Sequence, residues 1–261
     1  MAPVTLEYQP RHLCIGMFVA QMSDCAHKLQ HHCPTREASA EEILRWACRE
    51  FGSSVAASSS FQTQGVVLLH MISVVCPGLP VFFIDTGYHF PETLAYRDRL
   101  IDRFGLNVRT IYPAIEQSEL LRRYGEGLYR RDPDLCCYIH KIEPLQRALR
   151  GHEAWISGIR GDQSDVRSKE GVVTCDNRGL LKVHPMLQWT EEMIDAYIAD
   201  NKLPRHPLWE RGYTSIGCAC CTGPVRPGEN LRAGRWRGRE KTECGLHSHH
   251  WWKRGEAHGT D

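Results

Sequence analysis

Ser53-Ser54-Val55-Ala56-Ala57-Ser58-Ser59-Ser60-Phe61-Gln62-Thr63-Gln64, followed by Val66-Val67-Leu68-Leu69-His70-Met71, is the stretch that decides the fold. It opens as a short strand, passes through a run of small hydroxyl residues and enters an apolar helix that extends to Cys76-Pro77-Gly78. Strand, hydroxyl loop and helix N-terminus is how α/β proteins hold anions, because unsatisfied N–H groups and the positive end of the helix dipole face the loop. Taken alone, the same segment also reads as a Ser-rich turn that caps a core helix. The glycines of a Walker loop are absent, which excludes a P-loop kinase or GTPase.

Upstream, Ser39 and Glu42 form a capping box for a helix whose apolar face is Ile43, Leu44, Ala47 and Phe51, with Gly52 as its stop. Downstream, Val81-Phe82-Phe83-Ile84 reads as a strand ending in Asp85-Thr86-Gly87-Tyr88-His89-Phe90, and Pro91 opens the next helix. Asn107 to Tyr112 and Ala154 to Gly158 read as further strands, and Glu116 to Tyr124 and Thr190 to Asn201 as helices. Strands alternating with helices predict a doubly wound, mostly parallel α/β sheet, with ligands at the carboxyl ends of its strands. Residues 1–35 mix Cys14, Cys25, Cys33, His31 and His32 without a period and are read as an N-terminal arm, helical or poorly ordered. Residues 36–230 form the main domain and 231–261 a C-terminal tail.

A net charge of +1 over 261 residues supplies no polyanion-binding field, so nucleic acid is not expected as a partner. No apolar run is long enough to span a bilayer, and residues 1–10 lack the plan of a signal peptide, so a cytoplasmic protein is expected. Twelve cysteines in such a chain point to metal binding and redox chemistry rather than to a disulfide framework. Cys136 and Cys137 are adjacent, and Cys218-Ala219-Cys220-Cys221 supplies a Cys-x-x-Cys pair from Cys218 and Cys221. Four thiolates can hold zinc or a [4Fe–4S] cluster, and adjacent ligands favour the cluster because zinc knuckles space their cysteines by two to four residues. Cys220 sits between the pair. Near the chain end, Lys241-Thr242-Glu243-Cys244-Gly245-Leu246-His247 places a lone cysteine between cations, which lower a thiol's pKa and raise its nucleophile fraction.

Five segments in order resemble the assimilatory adenylylsulfate and phosphoadenylylsulfate reductases: Ser58 to Phe61, Asp85 to Thr93, Cys136-Cys137 with Lys141 to Pro144, Gly158 to Ser164, and Lys241 to His247. The resemblance implies an adenine nucleotide α-hydrolase-like fold with a modified phosphate loop and a mobile C-terminal tail bearing the nucleophile. It implies that Cys244 attacks the sulfate sulfur of adenylyl sulfate, that AMP departs, and that thioredoxin or glutaredoxin thiols release sulfite from the Cys244 S-sulfonate, in sulfate assimilation and cysteine biosynthesis. Lys141, Arg160, Arg232, Arg235 and His247 are then the candidate cations for the sulfate oxygens. Ser58, Ser59, Ser60, Asp85, Thr86 and Gly87 would hold the nucleotide end, with Arg167 a further candidate. Cys136, Cys137, Cys218 and Cys221 would carry one [4Fe–4S] cluster, expected to bias the site's field through Lys141 rather than to pass electrons, since thiol exchange accounts for both electrons. Relatives are dimers or tetramers, so a homo-oligomer is expected.

Two signals conflict over the substrate. The four cysteines go with adenylyl sulfate in this family, whereas the Ser58 to Gln64 loop looks more like the loop of enzymes that use the 3′-phosphorylated substrate. Four cysteines in register are harder to obtain by chance than a loop variant, so adenylyl sulfate is the expected substrate and phosphoadenylyl sulfate, or use of both, the alternative. An ATP-dependent adenylating enzyme of the same fold would need a Ser-Gly-Gly-x-Asp-Ser loop, which is missing. A non-catalytic zinc-stabilised module remains the rival outside catalysis.

Overall fold

The structure, a computed structural model, describes residues 33–243 together with Gly245 and Leu246. Expectations placed on residues 1–32, on Cys244 and on residues 247–261, His247 included, lie outside the described residues.

Helix α1 (Ala40–Phe51) begins as expected: the Ser39 hydroxyl accepts from the Glu42 N–H, and the Glu42 carboxylate accepts from the Ser39 N–H at 2.8 Å. Strand β1 (Val55–Ser58) leads into helix α2 (Gly65–Val75), β2 (Val81–Ile84) into α3 (Pro91–Phe104), and β3 (Val108–Ile111) into α4 (Gln117–Tyr124). Two short helices, α5 (Leu128–Arg131) and α6 (Pro133–Cys137), run through one π-helical turn (Tyr138–Ile142) into α7 (Glu143–Ala148). Strand β4 (Ala154–Ser157), the one-turn helix α8 (Asp165–Ser168), strands β5 (Val173–Cys175) and β6 (Leu181–Val183) and helix α9 (Glu191–Asp200) complete the body.

The strands form one sheet in the order β3-β2-β1-β4-β6-β5, parallel throughout except where β5 pairs antiparallel with β6 at the edge. Because side chains alternate across a strand, Val55, Ala57, Val81, Phe83, Ala154 and Ile156 pack on the face covered by α1, α2 and α9, while Ala56, Phe82 and Trp155 meet Leu145 and Leu149 on the other. The sheet is thus covered on both sides, as a doubly wound fold requires. After β3 the chain crosses back and lays β4 beside β1, with Ser58 opposite Ser157. That reversal makes the carboxyl ends of β1 and β4 the switch point, where such folds open a crevice.

Two details depart from the expectation. Cys48 on α1 and Cys76 at the end of α2 form a disulfide with Cα atoms 6.5 Å apart, because the two helices pack side by side on one face of the sheet; this pair is not a metal or active-site pair. Residues 231–243 also fold back onto the body rather than starting a separate unit: Gly223 donates to the Gly234 carbonyl at 2.8 Å, Thr222 and Arg235 form a β-bridge, and Trp236 donates to the Cys221 carbonyl at 3.0 Å. None of the described helices is long and apolar enough to cross a membrane.

Two histidines are locked inside this body. His184 is fully buried with its ring 2.9 Å from the Ser157 hydroxyl, and burial pushes its pKa down to about 3. His206 accepts from the Leu208 N–H through Nδ1, donates through Nε2 to Thr93 Oγ1 at 3.0 Å, and is pushed down to about 4, again chiefly by burial. A histidine with a lowered native pKa binds its proton more readily in the unfolded chain, so stability is full above the unfolded value and is lost as the pH falls below it. The melting temperature is therefore expected to hold above about pH 7 and to fall from about pH 6.5 towards pH 4 with a slope approaching two protons. A melting temperature that stays flat across that window would contradict the assignment of both rings as neutral.

Candidate active site

One pocket lies at the switch point. It is floored by Ser58 to Ser60 and Gln62 from the loop after β1, by Phe82 and Ile84 from β2, and by Ser157 to Ile159 from β4. Four cations, Lys141, Arg167, Arg232 and Arg235, line it, together with His89, Trp236 and Leu246.

The loop is shaped by its own hydroxyls. Phe61 takes a left-handed φ of 52°, and its N–H donates to Ser59 Oγ at 3.1 Å. Gly65, the first residue of α2, lies against the loop: a Cβ there would stand 3.4 Å from Ser59 Oγ, an ordinary contact. Trp155 Nε1 donates to Ser58 Oγ at 2.9 Å, which leaves the Ser58 proton for another acceptor. Gln64, the residue before α2, makes no side-chain cap, and the N–H groups of Gly65 and Val66 instead donate to the Gln62 and Thr63 carbonyls at 2.9 and 3.4 Å.

The cations reach the pocket from three segments that are distant in sequence. Lys141 comes from the π-helical turn after α6, and Arg167 from α8. Arg232 and Arg235 come from the returning tail, where the Arg235 guanidinium stacks 4.4 Å over the Trp236 ring. Trp236 itself is buried with a left-handed φ of 47°, a costly conformation for an aromatic residue, held by its bond to the Cys221 carbonyl.

Several expected residues fall elsewhere. Arg160 is 2% exposed, and its Nε and Nη2 form a two-pronged pair with the Asp162 carboxylate at 2.9 and 3.0 Å, so it does not line the pocket. Its place is taken by Arg167, seven residues on, whose guanidinium is held by the Gln163 side chain. Asp85, Thr86 and Gly87 do not line the pocket either. Asp85 accepts from the Gly87 N–H and shapes the turn, and the Thr86 hydroxyl lies 3.3 Å from the Cys218 sulfur. Thr86 therefore stands beside the cysteines and not in the lining of this pocket. Sequence reasoning missed Gln62, His89, Ser157, Trp236 and Leu246. None sits at a spacing that marks chemistry: the register of β1, β2 and β4 brings Gln62, His89 and Ser157 together, and the returning C-terminal segment adds Trp236 and Leu246.

The cysteines gather on the far side of Lys141. The Cys136 thiol is buried and is pushed up to about 12, first by burial and then by the negative charges of Cys137, Cys218 and Cys221, so the four thiols stand within electrostatic reach of one another. Lys141 acts on Cys136, Cys218 and Cys221 alike. Cys220 is not idle between the pair: its sulfur lies 3.7 Å from that of Cys221, and the neighbouring Cys220 thiol, ahead of Lys141, draws Cys218 and Cys221 towards the thiolate. Among the described residues, no three His, Cys, Asp or Glu side chains converge tightly enough to hold a single metal ion. Four cysteine sulfurs in mutual electrostatic reach are the donor type and number that a [4Fe–4S] cluster takes.

The segment leading to Cys244 is docked rather than loose. The Lys241 ammonium pairs with Asp134, Arg239 donates to the Tyr129 carbonyl, and the Glu243 carboxylate lies between Arg167 and Arg232 at 2.9 and 3.2 Å. Leu246 lines the pocket and packs against the core formed by Phe82, Leu145 and Trp155.

Residues 54–224 match the model of the phosphoadenosine phosphosulfate reductase domain. An adenosine 5′-phosphosulfate reductase of Streptomyces coelicolor is 44% identical over 212 residues, which cover 81% of this chain and 89% of that one. A phosphoadenosine 5′-phosphosulfate reductase of Gloeobacter violaceus is 45% identical, covering 80% and 88% of the two chains. The crystal structure of phosphoadenylyl-sulfate reductase from Candida auris, a phosphate complex, superposes with a TM-score of 0.61 at 26% identity, covering 83% of this chain and 98% of that one. With its adenine nucleotide α-hydrolase-like sheet and its loop, cations and cysteines in this arrangement, the chain belongs to the phosphoadenosine phosphosulfate reductase family.

Proposed function

We propose that this protein reduces adenylyl sulfate to sulfite and AMP, with Cys244 as nucleophile and thioredoxin or glutaredoxin thiols as reductant. The observation that carries the reading is that the residues flanking Cys244 in the chain meet the anion pocket: Glu243 binds two of its arginines, and Leu246 forms part of its wall.

The chemistry splits a difficult reduction into two exchanges. The Cys244 thiolate attacks the sulfate sulfur, an S–S bond forms, and the S–O bond to the nucleotide breaks, with AMP leaving on the electron pair. A thioredoxin thiolate then attacks the Cys244 sulfur, sulfite departs with the S–S electron pair, and the second thioredoxin thiol resolves the mixed disulfide. The dithiol ends as a disulfide and Cys244 as a thiol, so both electrons are accounted for. An anionic nucleophile meeting an anionic sulfate needs fixed positive charge, and Lys141, Arg232 and Arg235 supply it from the pocket wall. The hydroxyls of Ser58 to Ser60, at the N-terminal end of α2, hold the phosphate of the nucleotide.

Cys136, Cys137, Cys218 and Cys221 would hold a [4Fe–4S] cluster. When bound, that group supplies a fixed charge distribution beside Lys141. Zinc is disfavoured because Cys136 and Cys137 are adjacent, whereas structural zinc sites space their cysteines by two to four residues. Iron and zinc analysis of the purified protein is expected to find about four iron atoms per chain and no zinc, with a brown colour; a colourless zinc protein would remove the cluster from this reading.

The 44–45% identities divide between relatives named for each of the two substrates. Adenylyl sulfate is favoured by the four-cysteine set, and use of the 3′-phosphorylated form is the alternative. The deciding assay measures sulfite release from each substrate with reduced thioredoxin, for the parent protein and Cys244→Ser. The parent should prefer adenylyl sulfate, and the variant should lose at least ~10³-fold while keeping its iron. An active variant would sink the reading.

The pocket's geometry adds a second test. Gly217 provides the seat of Arg235: a Cβ there would collide with the guanidinium, its carbon only 2.7 Å away. Gly217→Ala should displace Arg235 and lower kcat/KM by roughly 10²-fold, the scale of a 1 Å misplacement, with the melting temperature kept. A Gly217→Ala enzyme of parental kcat/KM would show that Arg235 does not act on the substrate.

A further inference from the structure

Glu243 is a buried carboxylate one residue from the proposed nucleophile. Its side chain is 9% exposed, and every face of it is engaged. Ser164 donates its hydroxyl to Oε1 at 2.9 Å; Arg167 and Arg232 donate to Oε2 at 2.9 and 3.2 Å. Arg232 also donates to the Thr242 carbonyl at 3.2 Å, so two consecutive residues are held by one guanidinium. A charge buried this deeply destabilises the fold unless it is paired and hydrogen-bonded. Here burial alone would raise its pKa, and Arg167, Arg232 and the Ser164 bond outweigh it, so the carboxylate stays charged.

The partners are not structural bystanders. Both arginines line the anion pocket. Arg167 is held by Gln163, whose amide donates to the Gln64 side chain at 3.3 Å, and Gln64 is the residue immediately before α2. A hydrogen-bonded chain therefore runs from the anion loop to the residue preceding Cys244.

We propose that Glu243 is a positioning residue: its carboxylate, clamped by Arg167 and Arg232, docks the segment carrying Cys244 onto the substrate pocket and sets the register of attack. The proposal rests on Cys244 being the nucleophile. The docking is needed when the thiolate attacks the sulfate, and not when an external thiol attacks the S-sulfonate. Glu243 therefore acts on the first exchange and leaves the second alone.

The test separates the two exchanges in the iron-loaded, full-length enzyme. Glu243→Gln keeps the shape and the Ser164 bond but removes the charge. Its single-turnover formation of the S-sulfonate from adenylyl sulfate is expected to slow by roughly 10²-fold, while thioredoxin-driven sulfite release from preformed S-sulfonate stays at the parental rate. Trypsin should cut after Lys241 faster than in the parent, with the melting temperature kept, and Glu243→Asp should recover part of the lost rate. Parental S-sulfonate formation in Glu243→Gln, or loss of both exchanges together with the melting temperature, would overturn the proposal. Cys244→Ser run in parallel distinguishes the two levels. If it still releases sulfite, the nucleophile assignment fails; if it is inactive while Glu243→Gln forms S-sulfonate normally, only the role of Glu243 fails.

Discussion

The rest of the site depends on one pairing, the parallel register of β1 with β4 that sets Ser58 opposite Ser157. At this place the chain order reverses, and two loops leave neighbouring strand ends in the same direction. One is the Ser58 to Gln64 anion loop, and the other is the Gly158 to Arg167 segment. Gly158 packs closely on α2: a Cβ there would stand 3.1 Å from the Leu68 side chain, which would have to give way to admit it. Everything the pocket does follows from these two loops being adjacent and from what is laid across them.

What lies across them is governed by charge. A chain of net charge +1 has gathered Lys141, Arg167, Arg232 and Arg235 on one pocket wall, an arrangement that repels itself unless balanced. Glu243 balances the two arginines nearest it and the face of Trp236 accepts Arg235, while Asp134 pairs with Lys241, a tail residue outside the pocket lining. These contacts fold residues 231–243 back over the body. The tail therefore approaches the pocket by the same interactions that make the pocket attractive to an anionic substrate. On the proposed mechanism, binding of the substrate and presentation of Cys244 draw on a shared set of arginines.

Much of the frame was legible in the residues, and the reasons are local. The Ser39 and Glu42 capping box, the strand Val81 to Ile84 and the Pro91 helix start each depend on a few adjacent residues, and each stands where it was expected. Strands β5 and β6 were not seen. Each is three residues long, too short for any period to show, and they are held by pairing with each other and with β4. Among the arginines, residue type could be read but direction could not. Arg160 is turned away because Asp162 lies within reach of its own guanidinium, and Arg167 faces inward because Gln163 and Glu243 hold it. The contacts that the tail makes up to Glu243 could not be read either, since Glu243 and Arg167 are 76 residues apart and Lys241 and Asp134 are 107 apart. No reading of neighbours along the chain can find such pairs.

The central claim is that Cys244 carries the sulfonate between the two exchanges. Mass spectrometry of the enzyme incubated with adenylyl sulfate in the absence of any reducing thiol tests this most directly. The account predicts one sulfonate per chain, located on the peptide bearing Cys244, with a stoichiometric amount of AMP released. An unmodified Cys244 alongside released AMP, or a sulfonate carried by Cys220, would contradict it.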